Sequence, residues 1–226
     1  MKKPRLLGVP AKPEKTFPLI ELIGTIDSGK KAVAQLLSRM LGGIHIEFPN
    51  LDLDSDVGRS LFSKLLNSPD WLEENPYWWV HMQCCGLLER REELELHLKS
   101  RPVVVTNYVT STRIWAKASA EITSLAGWTP SLPQPDEVFS IVGEPWSNPG
   151  NIPNHFSEEL MARVNLLMSH PRDIKVITMN VLPGRRMRHN SINDVTKNIA
   201  TQLHLKYGLT VNTFGYDRES FARRTQ

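Results

Sequence analysis

Hydrophobic and polar positions along the chain switch repeatedly between a short-run pattern and a helical period. The apolar run Phe17–Gly24 (FPLIELIG) ends in glycine and predicts a buried strand. KKAVAQLLSRML then sets Val33, Leu36, Leu37 and Met40 at helical spacing, with Gly42 and Gly43 as a stop signal. GIHIEF predicts a second strand that ends before Pro49. DSDVGRSLFSKLL predicts a helix with an N-cap at Asp54 or Ser55 and apolar Leu61, Phe62, Leu65 and Leu66. NPYWWVHMQCCGLLERREELELHLKS is the longest helical segment, with Pro76 suited to a first turn. Its Glu92, Glu93 and Glu95 alternate with Arg90, Arg91 and Lys99 as a solvated face.

The β-branched run PVVVTNY reads as a strand buried on both faces. TSTRIWAKASAEIT predicts a helix, DEVFSIV a strand, and GEPWSNPGNIPNH a loop. FSEELMARVNLLMSH returns to helical period through Leu160, Val164, Leu167 and Met168. IKVITMN predicts a strand, VLPGRRMRHN a basic turn, and SINDVTKNIATQLHLKYG a closing helix capped by Ser191. Strands alternating with helices imply right-handed crossovers and a parallel sheet covered on both faces. The expected class is therefore α/β, three-layered, with about five parallel strands flanked by helices. Residues 17–211 form one domain, between a basic, proline-rich tail at 1–16 and a polar tail at 212–226.

Composition adds limits rather than identity. The 226 residues suffice for one substantial core, and 40% hydrophobic with 23% charged residues is ordinary for a globular chain. A net charge of +3 does not imply nucleic acid as a partner. Cys84 and Cys85 are adjacent on a helix and point in different directions, which makes them reduced thiols and favours an intracellular setting. No apolar run approaches the roughly 18 residues that a membrane span needs. The opening MKKPRLLGVPAKPEKT is basic and acid-poor like an organelle-targeting segment, yet its prolines spoil an amphipathic helix. A disordered or partner-bound tail is the better reading, with mitochondrial and cytoplasmic locations both open.

The chemistry concentrates in GTIDSGKKA, residues 24–32, between the first strand and the first helix. Glycines let backbone N–H groups curl around phosphate oxygens, a lysine neutralises their charge, and the helix N-terminus adds its positive end. Gly24, Asp27, Ser28, Gly29, Lys30 and Lys31 are the candidate nucleotide-binding residues. Lys31 stands where a hydroxyl would meet a magnesium ion, so anion binding is expected to survive and metal use is in doubt. His45, His81 and His97 lack partners at metal-ligand spacing. Tyr77, Trp78 and Trp79 read as core or interface in preference to a base-stacking surface, and GRRMRH, 184–189, as a solvated turn.

The order of elements from about Phe17 to Leu203 resembles the thymidylate kinase family of P-loop nucleoside-monophosphate kinases. That family carries a loop close to E-G-x-D-x-x-G-K-S/T-T, matched by IGTIDSGKKA. Its F-P-x-R and glycine-containing helix match FPNLDLDSDVGRSLFSKLL at Phe48, Pro49 and Gly58, and its V-V-x-D-R-Y followed by serine matches VVVTNYVTS at Tyr108 and Ser111. Its P-D-x-V-x-x-L resembles PDEVFSIV. The resemblance implies the three-layer P-loop kinase fold, ATP or another nucleotide as ligand, and Phe48, Tyr108 and Ser111 as substrate-binding positions.

The family's charged residues are largely replaced. Its loop aspartate falls on Ile26, beside Asp27, and the arginine after F-P falls on Leu51. Its N-R-W-E falls near Cys85, Gly86, Leu87 and Leu88, and the D-R of D-R-Y on Thr106 and Asn107. Its arginine-bearing lid falls on EPWSNPGNIPNHFSEEL, which holds no arginine or lysine. One such arginine is worth about 10³–10⁵ in phosphoryl-transfer rate. No catalytic residue is assigned; if the chain is active, Lys30 and Arg113 are the candidates, with Lys117 and Arg163 as further replacement charges. The preferred reading is lost catalysis and a role as an accessory or structural subunit of a larger assembly, a mitochondrial one among those open. Respiratory complex I, where nucleoside-kinase folds do occur as subunits, and a ribosome are examples. The alternatives are a divergent dTMP kinase, converting ATP and dTMP to ADP and dTDP, and a nucleotide sensor without turnover. Self-pairing, as in family members, stays open.

Overall fold

The computed structural model describes residues 16–24, 28–48, 74–120, 131–142, 157–171, 175–178 and 185–212. Five strands, β1 (Leu19–Gly24), β2 (Ile44–Glu47), β3 (Val103–Thr106), β4 (Glu137–Val142) and β5 (Lys175–Thr178), form one sheet in the order β2-β3-β1-β4-β5. Every neighbouring pair is parallel. Parallel neighbours need long crossovers, and the described helices supply them. These are α1 (Lys30–Met40), α2 (Pro76–Glu89), α3 (Arg91–Leu98), α4 (Val109–Ala120), α5 (Glu158–Ser169) and α6 (Arg185–Tyr207). The expected three-layer α/β class with about five parallel strands is what the chain adopts.

The period of two in the strands sorts the core onto two faces. Ile20, Leu22, Val104, Phe139 and Ile141 pack with Val33, Leu37 and Met40 of α1 and Ile199 and Leu203 of α6. Leu19, Val103 and Val105 turn the other way, against Leu87 of α2 and Leu94 and Leu98 of α3. A smaller cluster joins Met82, Ala118, Leu160, Val164 and Met168 from α2, α4 and α5. Among the described residues no helix is long and apolar enough to cross a membrane.

Gly42 and Gly43 end α1 as expected. Gly42 takes φ +62°, its N–H donates to the Arg39 carbonyl at 3.1 Å, and the Gly43 N–H donates to the Ser38 carbonyl at 2.8 Å. This i to i−5 closure satisfies the last helical carbonyls and needs a residue that tolerates the left-handed region. At the far end of the sheet Glu137 accepts from Lys206 and, at 2.9 Å, from the Tyr207 hydroxyl, with Lys175 at 3.6 Å. The end of α6 is thereby pinned to the start of β4. Burial pushes the Glu137 carboxyl up, but its hydrogen bonds with Lys206 and Tyr207 and the two lysine charges outweigh that and hold it below its ordinary value.

Three expectations need correction. The segment 75–100 is two helices, because Arg90, at φ −98° and ψ 11°, breaks the period between α2 and α3. The basic segment expected as a turn is helical from Arg185, so Ser191 lies inside α6 and does not cap it. Of the core-or-interface expectation for Tyr77 and Trp78 only the core half fails, since they are 65% and 55% exposed. The true cap missed on α5 is Ser157, whose side chain accepts from the Leu160 N–H at 3.2 Å. The helix expected at 54–66 and most of both tails lie outside the described residues.

A Cβ at Gly43 would meet the Pro102 carbonyl oxygen at 2.3 Å, a backbone atom that cannot swing aside. Gly43→Ala should cost about 1–3 kcal/mol of stability. Chemical denaturation would show this as a lowered midpoint; an unchanged midpoint would mean that β2 and β3 can separate at this point freely.

Candidate functional site

The C-terminal ends of parallel strands collect loops and exposed backbone groups, which is where such sheets hold ligands. Here that edge carries Gly24 of β1, Glu47 of β2 and Thr106 of β3, with Glu47 registered against Thr106 and Thr106 against Leu22. Gly24 is needed for closeness: a Cβ there would lie 2.3 Å from the Ile141 carbonyl oxygen and 2.9 Å from Ser28 Oγ. Gly29 caps α1 at φ 85°, a region that favours glycine, and Lys30 is the first helical residue. Gly24, Ser28, Gly29, Lys30 and Lys31 are therefore brought together at one helix N-terminus, as expected. Asp27 and Ile26 lie outside the described residues. Ser28 is fully buried, and its hydroxyl finds no hydrogen-bond partner among the described residues.

Lys31 turns to β2 and pairs with Glu47, Nζ to Oε2 at 2.6 Å, with side chains 60% and 37% exposed. Beside this pair, His45 Nε2 and Thr106 Oγ1 share a hydrogen bond at 3.1 Å. Burial pulls the His45 imidazole down to about 4; the Glu47 charge opposes this and the Lys31 charge adds to it. At neutral pH His45 is uncharged. Arg90 reaches the same edge from the break between α2 and α3. Its Nη1 donates to the Glu47 carbonyl at 3.3 Å, its guanidinium lies 5.4 Å from the Phe48 ring centroid, and it holds Glu93 through two bonds of 2.8 and 2.9 Å. Sequence reasoning placed Arg90 on a solvated face. Its position one helical turn past Gly86, where the resembling family has its arginine, was the available signal.

Of the expected substrate-binding positions, Phe48 and Tyr108 are fully buried and face each other, ring centroids 5.1 Å apart. The Tyr108 hydroxyl donates to the Pro133 carbonyl at 3.0 Å. Ser111 is buried, and its hydroxyl lacks a hydrogen-bond partner among the described residues. Its N–H and that of Thr110 each donate at 3.0 Å to the carboxylate of Glu21, in the middle of β1. Burial pushes the Glu21 carboxyl above its ordinary value, while these bonds and the Arg113 charge pull the other way. An acid inside the apolar run was the signal for this cap, and it went unread. Asn107, on the family's second D-R-Y position, has φ 57°, which asparagine tolerates better than most residues. Arg113 reaches Gln134 at 3.4 Å on an exposed face, and Lys117 and Arg163 are exposed on α4 and α5.

The resembling fold uses a magnesium ion beside this loop, and the described residues do not fit one. Where the ion's hydroxyl ligand would stand, Lys31 places an ammonium already paired with Glu47. The neighbouring strand end offers a threonine bound to a neutral histidine in place of an acid. Among the described residues no three His, Cys, Asp or Glu side chains form a metal-binding group. Burial pushes the Cys84 thiol to about 11, with the adjacent Cys85 adding to the shift, and raises Cys85 as well, which disfavours the thiolate form of both.

No family model and no curated protein sequence matches the chain. Among solved structures it is similar to a thymidylate kinase from Candida albicans, with a TM-score of 0.64 at 14% identity over 84% of this chain and 92% of that one. A thymidylate kinase from Ehrlichia chaffeensis matches at 0.53 and 18% identity, over 83% and 98%. A deoxyadenosine kinase from M. mycoides, solved with bound dATP, matches at 0.53 and 10% identity, over 80% and 98%. At these identities the likeness is one of fold, and the fold is that of the P-loop nucleoside and nucleotide kinases.

The neutral His45 sets a pH dependence. In the unfolded chain it protonates near its ordinary 6.5, in the folded chain only near 4, so the stability it contributes is present above 6.5 and lost as pH falls toward 4. His45→Asn keeps a partner for Thr106 and removes the titration. It should flatten the acid limb of the stability curve by on the order of 2 kcal/mol. Denaturant titrations across that window that match wild type would sink this account.

Proposed function

We propose that the chain is a P-loop kinase-fold protein that holds a phosphate-bearing ligand such as ATP at Gly24, Asp27, Ser28, Gly29, Lys30 and Lys31. Efficient phosphoryl transfer has been lost. The observation that carries this is the Lys31–Glu47 pair standing where a metal ligand should be. Phosphoryl transfer depends almost wholly on positioned positive charge, usually a metal ion and arginines. The position of the aspartate in D-R-Y holds Thr106, that of its arginine holds Asn107, and the lid segment holds no arginine or lysine. What remains supports binding: glycines at close backbone approaches, a helix N-terminus, and two lysines.

The chain then serves as an accessory or structural subunit of a larger assembly. Tyr77 and Trp78, exposed at the start of α2, support a protein contact, as large aromatics anchor interfaces. One observation favours the alternative of a divergent dTMP kinase: Arg90 returns a positive charge beside Phe48, with Lys30 and Arg113 as the remaining candidate catalytic cations.

A coupled assay with ATP and dTMP separates the two. Turnover is expected well below about 1 s⁻¹, the low end of kinase rates. A rate at or above that value returns the enzyme reading. In the same native extract the protein should fractionate with a large complex; migration as a free monomer or dimer would remove the subunit role.

A further inference from the structure

We infer that Lys31 replaces the divalent cation at this loop, with Glu47 as its resting counter-ion, so that phosphate groups are bound without metal by exchange of Lys31 from Glu47 to a phosphate oxygen. This rests on the phosphate-binding reading of the loop given above. Lys31 is the second residue of α1, one position past the loop lysine, and its ammonium is committed to β2 at 2.6 Å. Both partners are substantially exposed, so water screens the pair and the lysine is released at little cost. A phosphate dianion at the helix N-terminus offers a stronger, charge-assisted partner in a field that already favours anions.

Two neighbours make the exchange one-sided. His45, beside Glu47, is neutral and hydrogen-bonded to Thr106, so it offers no competing cation on that edge. Arg90 holds the Glu47 backbone carbonyl, which keeps the strand end in place when its side chain is released to solvent. Independently, the fully buried Ser28 hydroxyl lies against Gly24 inside the loop with no partner among the described residues, a donor left for an acceptor to satisfy. The substrate class that fits is a nucleoside di- or triphosphate in its metal-free form.

Calorimetry of the full chain with ATP, once with magnesium and once with EDTA, tests this. The two dissociation constants should agree within about threefold. Lys31→Ser should weaken binding in EDTA by roughly tenfold or more, the scale of a lost charge-assisted contact. Lys31→Arg should retain most of it, which guards against a simple folding defect. Glu47→Gln should tighten binding by about two- to fivefold, because no exposed pair has to be broken first. Binding that needs magnesium, or that ignores both substitutions, overturns the inference and leaves the loop reading standing. No ATP binding in either condition overturns the loop reading and the inference together.

Discussion

Strand β1 is hydrogen-bonded along both edges, to β3 and to β4, and all six of its residues are buried. A strand in that position has no free backbone group and no solvent face, so whatever it carries must be satisfied internally. Its apolar residues are shared between the two core faces. Its single acid, Glu21, is answered by the first N–H groups of α4. Its last residue, Gly24, approaches Ile141 too closely for any side chain. The strand therefore fixes where α4 begins, where the loop leaves the sheet, and how near that loop lies to β4. The remaining strands and helices are arranged around it.

Buried and exposed charges serve different ends in this fold. Glu21 and Glu137 are buried, and each is surrounded by donors that make it costly to separate the elements involved. Lys31 and Glu47, Arg90 and Glu93, and Arg91 and Glu95 are only partly buried, where an ion pair contributes little to stability. The first two are anchors of the architecture. The Lys31–Glu47 pair differs from the other two in joining the first turn of α1 to the end of β2. A weak pair there is easily exchanged, which suits a site better than a strut.

Much of the fold was legible because it rests on periodicity. The strands at 19–24, 103–106 and 137–142, the helix at 30–40 and its Gly42–Gly43 ending all follow from local pattern and local backbone need. The break at Arg90 did not, since no proline or glycine marks it, and the helical run through Arg185 to Asn190 did not, since Pro183 and Gly184 just before it signal a turn. Glu21 stood out as an acid in an apolar run, but its partners could not be read, because Thr110 and Ser111 lie some ninety residues away in the chain. The gathering of Gly24, Ser28, Gly29 and Lys30 was readable, because one loop holds them all.

The amino-acid order by itself determined the class of fold, the place of the loop, and the replacement of the hydroxyl by Lys31, since each depends on neighbours within a few residues. Only the tertiary structure decided what Lys31 does. Glu47, His45 and Thr106 stand on two strands that become adjacent only when the sheet assembles. Likewise, Arg90 meets Phe48 because α2 ends against the edge of β2, a distance of over forty residues closed by packing. Local pattern specifies elements because backbone hydrogen bonds and amphipathic faces are local. The partners of a charge are set by burial and register, which no single stretch of chain contains.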